Sequence, residues 1–263
     1  MKRIIQLAAA AAILSQPAIA SAAGQPGNGK SFVDDFASLD GHRWFVSDGW
    51  SNGGFQNCTW SKKNVAIADG ALRLTFEKGK TKDRDYSCAE IQTRARFSYG
   101  TYEARIKSVG GPGFDSSFFS YIGETDKQPH DEIDFEVLGK DTSKVQLNQY
   151  ISGKGGHEKL VAVPGGADKG FHDYAFVWEP KRLRYYVDGT LVETVTDPSA
   201  IPQHPQKIFA SVWASSKFKS WLGAFEAPDL AKTMEVKRIA FTALGHPCQF
   251  KESVACKLMP ASQ

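Results

Sequence analysis

The stretch His130-Asp-Glu-Ile-Asp-Phe-Glu-Val-Leu-Gly-Lys-Asp141 decides how this chain is read. Within it Glu132, Asp134 and Glu136 alternate with Ile133, Phe135 and Val137, the period-two pattern of a half-buried strand whose side chains point to opposite faces in turn. Three carboxylates therefore share one face above an apolar underside. Neighbouring like charges on a sheet face repel, so the arrangement needs a chemical reason.

Outward from this strand, the same signal recurs at short intervals. Strands are expected at Ala71–Phe76, Ala89–Arg96, Tyr102–Ile106, Ser116–Tyr121, Val145–Tyr150, His172–Trp178, Arg182–Val187, Leu191–Val195, Lys207–Trp213 and Met234–Phe241. Asp69-Gly70 and Asp188-Gly189, each between alternating runs, predict two-residue hairpin turns. Beyond the N-terminal run, no segment keeps a 3.6-residue period for long, and there is no repeat or low-complexity tract. The chain reads as all-β, two packed antiparallel sheets without an internal boundary.

Three acids on one face suit the cleavage of a glycosidic bond. A retaining glycosidase needs one carboxylate as nucleophile and a second carboxyl, still protonated, as general acid, with about 5–5.5 Å between them. A third acid nearby holds the pair at different proton affinities. Residues i and i+4 of a strand lie about 13 Å apart along the backbone, so Glu132 and Glu136 must lean together, as a concave sheet allows.

The run Asp131-Glu-Ile-Asp-Phe-Glu136, followed by Gly139-Lys-Asp-Thr-Ser-Lys-Val145 and Asn148, resembles the active-site strand of glycoside hydrolase family 16, in particular its bacterial lichenases. Ser51-Asn-Gly-Gly54, Asn57-Cys-Thr-Trp60, Cys88-Ala-Glu90, Tyr99-Gly-Thr-Tyr-Glu103, Ser116-Ser-Phe-Phe119, Gly155-Gly-His-Glu158 and Trp221-Leu-Gly223 extend the likeness in order along the chain. The resemblance implies a jelly-roll β-sandwich whose concave sheet carries a substrate cleft. It implies Glu132 as nucleophile, Glu136 as acid/base and Asp134 as the assisting acid between them. The regular Glu-x-Asp-x-Glu spacing matches the lichenase-like branch rather than branches with an extra residue before the second Glu.

The same resemblance places Asn52, Glu90, Phe119, Tyr121, Asn148, Tyr150, Trp213 and Trp221 along the cleft. Flat rings beside amides and carboxylates suit sugars, which offer apolar C–H faces and many hydroxyls. Trp44, Trp50, Trp60 and Trp178 are expected to serve structure, and His157 and His172 hydrogen bonding. His130 stands where such sequences often carry Trp, and Gln92 where they often carry Arg, so one sugar subsite and the charge of the cleft should differ. A structural calcium, held in many relatives by an Asp of the last strand, is not expected, because Lys237 occupies that position and an ammonium repels the ion. No other metal or cofactor is expected.

The implied activity is endo-hydrolysis of β-1,3-1,4-linked glucan. The succinoglycan-depolymerising glycanases of rhizobia offer an alternative polymer, and transglycosylation or non-catalytic glycan binding are further alternatives. The polysaccharide is the one partner implied.

The ends and the charge agree with an exported enzyme. Met1-Lys2-Arg3, the apolar run Ile4 to Leu14, and Ala18-Ile-Ala20 with Ala20-Ser-Ala22 predict a signal peptide over residues 1–22, since the apolar run is too short to span a bilayer. Residues 23–30 are expected to form a flexible leader, 31–245 the catalytic domain and 246–263 a C-terminal tail. Without Lys2 and Arg3 the formal charge falls from +3 to +1, and no basic run points to nucleic acid or an anionic membrane. No stretch reads as an obligate interface, so a monomer is expected. Four cysteines allow three pairings. Cys58–Cys88 is implied by the lichenase likeness, and Cys248–Cys256 by proximity.

Overall fold

Burial alternates along Ala71–Lys78, whereas central strands such as Tyr86–Thr93 and Lys207–Ala214 are buried on both faces over five successive residues, one face in the core of two stacked sheets and the other covered by neighbouring side chains and loops. The computed structural model describes residues 28–81 and 83–258. The expected signal peptide and most of the expected leader lie outside the described residues.

One sheet, here the inner sheet, runs in the order Lys159–Ala162, Lys144–Tyr150, Asp131–Leu138, Phe114–Ile122, Lys207–Ala214, Tyr86–Thr93. The short strand Trp44–Val46 pairs beyond Tyr86–Thr93. The outer sheet runs Val65–Ala68, Ala71–Lys78, Lys232–Ala243, Gly100–Lys107, His172–Glu179, Arg182–Val187, Thr190–Val195, with Phe32–Asp34 also on Lys232–Ala243. Glu77 and Lys78 pair with Ser87 and Tyr86, joining the sheets at one corner. The pairs are antiparallel, apart from Cys58–Trp60 against Tyr86–Cys88. The result is the all-β jelly-roll sandwich expected from the pattern.

Apolar sides of the two sheets meet in the core. Phe118 and Phe135, from the inner sheet, pack against Tyr174, Phe176 and Tyr185 of the outer one. All five are nearly fully buried. The Tyr185 hydroxyl donates to the Asn148 carbonyl at 2.8 Å, so its polar end is satisfied within the core.

The expected hairpin turns form where the sequence puts them. Asp69 and Gly70 have φ of 54° and 69°, and Asp188 and Gly189 have 49° and 74°, the left-handed pair that a type I′ turn demands. Five short strands were not expected: Phe32–Asp34, Trp44–Val46, Cys58–Trp60, Val65–Ala68 and Lys159–Ala162. With three or four residues each, they offer almost no alternation to read.

Both disulfides form, Cys58 with Cys88 and Cys248 with Cys256. The second staples the tail, whose short helix Val254–Leu258 lies on the outer sheet. Ser253 Oγ and Val254 N donate to the buried Glu103 carboxylate at 2.5 and 2.8 Å, and Val254 packs with Ala175, Val177 and Tyr186. The tail thus covers a face of the outer sheet, whereas the acidic strand belongs to the inner one.

Candidate active site

The strand Asp131–Leu138 lies inside the inner sheet, between Lys144–Tyr150 and Phe114–Ile122. Register across these strands assembles the site in rows. Glu132 stands between Tyr150 and Tyr121, Asp134 between Asn148 and Phe119, and Glu136 between Gln146 and Ser117. One strand further on, Lys207, Phe209 and Ser211 oppose Tyr121, Phe119 and Ser117. Beyond those, Gln92 and Glu90 oppose Phe209 and Ser211. Even-numbered acids thus face a common cleft, while Ile133, Phe135 and Val137 enter the core.

The cleft encloses about 750 Å³ and is lined by aromatic rings, amides and acids, Glu132, Asp134 and Glu136 among them. Of the residues expected along it, Asn52, Glu90, Phe119, Tyr121, His130 and Trp213 line it. Tyr150 acts one layer out, its ring stacked on that of His130 at 4.8 Å. Trp221 Nε1 donates to Gln146 Oε1 at 2.7 Å, and the indole lies 6.1 Å from that of Trp213. Asn148 is buried and accepts from the His157 backbone at 3.3 Å.

Several lining residues were missed in the sequence. Trp50, expected to be structural, is exposed, stacks on Phe45 at 6.0 Å and forms part of the wall. Lys207, Phe209 and Ser211 also line the cleft. Their spacing of two with Trp213 was the signal that could have found them. By contrast Trp44, Trp60 and Trp178 are buried.

Charge is distributed unusually in this site. Asp131, at the start of the strand, is fully buried and saturated with donors: Ser152 N on one oxygen, Gln203 N, His204 N and His204 Nδ1 on the other, all within 2.8–3.1 Å. Asp134, three residues on, is also buried but faces other acids. Its carboxyl is held well above the usual carboxylate range, first by burial and then by the charges of Glu132, Glu136 and Asp115. Glu136 is raised in the same way, by burial and then by Asp115, Glu132 and Glu158.

Two further acids join them. Burial pushes Glu90 up to about 7 against the opposing hydrogen bond from Ser47 Oγ, 2.6 Å away. Burial likewise pushes Asp115 up to about 7, against a hydrogen bond from Ser117. Glu132 differs from all of these in its partner. His130 Nε2 lies 2.6 Å from its Oε2, and the imidazole is fixed by stacking on Tyr150 and by the edge of Tyr121 at 5.1 Å.

Such a site offers a carboxyl group held by an imidazole, a second whose proton affinity is raised by burial and like charge, and rings on which sugar faces can lie. Those parts, on a concave antiparallel sheet, define a polysaccharide-cleaving glycosidase. The family model for glycosyl hydrolases family 16 matches residues 52–231, and the chain belongs to that family.

It is 62% identical over 229 residues to the endo-1,3-1,4-beta-glycanase ExoK of Rhizobium meliloti, covering 87% of this chain and 85% of that one. It is 40% identical to the beta-glucanase of Bacillus subtilis, over 86% of this chain and 91% of the relative. The solved Bacillus licheniformis beta-glucanase superposes with a TM-score of 0.77 at 38% identity, covering 82% of this chain and 99% of that one.

Lys237 places its ammonium 4.6 Å over the ring of Phe171, a cation–π contact on the outer sheet.

Proposed function

We propose that this enzyme is a secreted, retaining endo-β-glucanase acting on β-1,3-1,4-linked glucan, with Glu132 as nucleophile and Glu136 as acid/base. One observation carries the reading: both glutamates flank the buried Asp134 on a single strand at the floor of an aromatic cleft. The likeness to the endo-1,3-1,4-beta-glycanase of Rhizobium meliloti and the beta-glucanase of Bacillus subtilis supports the polymer class.

In the first step, a Glu132 oxygen attacks the anomeric carbon while Glu136 gives its proton to the departing glycosidic oxygen, leaving a glycosyl ester on Glu132. His130 holds the attacking carboxylate in place through Nε2. Asp134, whose proton affinity is raised first by burial and then by the charges of Glu132 and Glu136, stands between the two glutamates. In the second step Glu136, now ionised, takes a proton from water as that water attacks the anomeric carbon. The ester breaks, and two inversions leave the configuration retained. The chemistry asks for no metal or cofactor.

Export is supported by the N-terminal sequence and by two disulfides, which persist in oxidising compartments. The catalytic unit spans residues 31–245 and works as a monomer, and the tail braces its outer sheet. A succinoglycan-type exopolysaccharide is the alternative polymer. It is favoured by His130, which turns its stacking surface to Tyr150 instead of leaving it free for a sugar, and by the neutral Gln92 on the cleft wall.

The test is the release of new reducing ends from lichenan, laminarin, cellulose and a succinoglycan-type polymer, with Glu132→Gln as control. Cleavage of lichenan with a silent mutant is expected. Equal inertness of both proteins, with retained glycan binding, would turn the reading to a binding module.

A further inference from the structure

Asp115 is a buried acid for which the two-step chemistry above has no use. It stands on the strand Phe114–Ile122, on the same face as Ser117, Phe119 and Tyr121, because all are separated by two. Ser117 is directly opposite Glu136 and Asp115 is opposite Leu138, so Asp115 and Glu136 are diagonal neighbours on one face, within reach of each other's charge. On its other side, Trp213 stands opposite Asp115.

Asp115 has no exposure to solvent. Ser117 Oγ donates to Oδ2, and Trp213 and the Ser116 backbone act on the carboxyl more weakly, while Oδ1 has no partner in good hydrogen-bond geometry. A buried carboxyl with one well-formed hydrogen bond is costly, whereas Asp131 has four donors in good geometry. The surrounding groups make the cost greater. Glu132, Asp134 and Glu136 come from the neighbouring strand, Glu90 from the strand Tyr86–Thr93 and Glu158 from the loop after Tyr150. The Lys207 ammonium pairs with Asp126 at 3.0 Å, and His130 Nε2 lies against Glu132 rather than Asp115.

We propose that Asp115 is a positioning residue for the acid/base step, a fourth carboxyl that keeps the proton on Glu136 until the departing oxygen takes it. The inference rests on the reading of Glu136 as acid/base. Two carboxyls on one face, Asp115 fully buried and Glu136 half-buried, cannot both ionise readily, so they hold a proton between them and titrate as a pair. Charge on Asp115 therefore keeps Glu136 protonated at a pH where a lone glutamic acid would be ionised. After Glu136 has released its proton to the leaving group, the same repulsion makes it a stronger base toward the incoming water. The direction of the shift on Glu136, with Asp115 the foremost charge after burial, agrees.

Asp115→Asn keeps the shape and removes the charge. With lichenan as substrate, the alkaline limb of kcat/KM should move acidward by about one unit, so activity one unit above the wild-type limb falls about ten-fold while activity on the acid side is little changed. On an aryl glycoside whose leaving group needs no proton, the variant should match wild type at the same pH. A folded variant whose alkaline limb coincides with that of wild type overturns the proposal.

If Asp115→Asn does not fold, the reciprocal titration decides. The ¹³C-labelled Asp115 carboxyl should titrate at lower pH in Glu136→Gln than in wild type, and coincident curves would overturn the proposal equally. Glu136→Gln with added azide separates the two levels. If it cleaves lichenan as fast as wild type, the assignment of Glu136 itself fails. If azide rescues it but Asp115→Asn leaves the limb unmoved, only the role of Asp115 fails.

Discussion

The two sheets of this sandwich treat charge in opposite ways. On the outer sheet, cross-strand neighbours neutralise one another: Glu235 lies between Arg73 and Lys107 at 3.3 and 3.5 Å, and Asp173 between Arg105 and Arg238. Its most buried acid, Glu103, is raised by burial too, but two hydrogen bonds from the tail oppose the shift. On the inner sheet, Glu90, Asp115, Asp134 and Glu136 gather around one cleft, and burial raises each of them. The outer sheet is arranged as stability alone would arrange it. The inner sheet keeps like charges together against that preference, and the raised proton affinities that result are what general acid catalysis requires.

Mutations of the cleft acids should break this contrast most sharply. Glu132→Gln and Glu136→Gln are each expected to lower kcat on lichenan by at least about 10³-fold. The melting temperature of Glu132→Gln should equal or exceed that of wild type, because a charge that repels Asp134 and Glu136 is removed, and that of Glu136→Gln should match wild type, because a neutral amide replaces a carboxyl already held toward its neutral form. Paired activity and calorimetric measurements check both halves.

Stability against pH should report the buried acids of the inner sheet next. Glu90 and Asp115 have folded values raised to about 7 from ordinary values of 4.5 and 3.8. The folded state therefore binds more protons than the unfolded one between those limits. Stability is fully present below the unfolded values and is lost as pH rises through the folded ones, by about 3 kcal/mol for Glu90 alone. Denaturant unfolding at pH 5 and pH 8 measures this, and Glu90→Gln should flatten the slope.

On the outer sheet, Ser253→Ala removes one cap from Glu103 and should cost about 1–3 kcal/mol of stability. Activity on lichenan at room temperature should be unchanged, since the tail braces the outer sheet and the cleft belongs to the inner one. The smallest effect expected is that of His130→Phe, which keeps a ring against Tyr150 but loses the contact with Glu132. The kcat should fall about ten-fold with little change in KM.

The fold was legible wherever strands were long enough to alternate. Asp131–Leu138, Lys207–Ala214 and both Asp-Gly turns follow from period and turn chemistry alone. The five short strands were hidden because their partners, distant in the sequence, define them. In the site, Glu132, Asp134 and Glu136 stood out as three acids at a spacing of two. Asp115 did not, because the expected strand began at Ser116, and its significance comes from neighbours across the sheet. Trp50 lies in a segment without period, and only its stacking on Phe45 turns it toward the cleft. The docking of the tail depends on Ser253 meeting Glu103 across 150 residues of sequence, which no local pattern reveals.

The central claim, a double displacement run by Glu132 and Glu136, is tested most directly by ¹H NMR of the sugar released from lichenan in the first minutes of reaction. The account predicts that the new reducing end appears as the β-anomer and only later mutarotates. An α-anomer as the first product would mean inversion, and Glu132 could not then be the nucleophile.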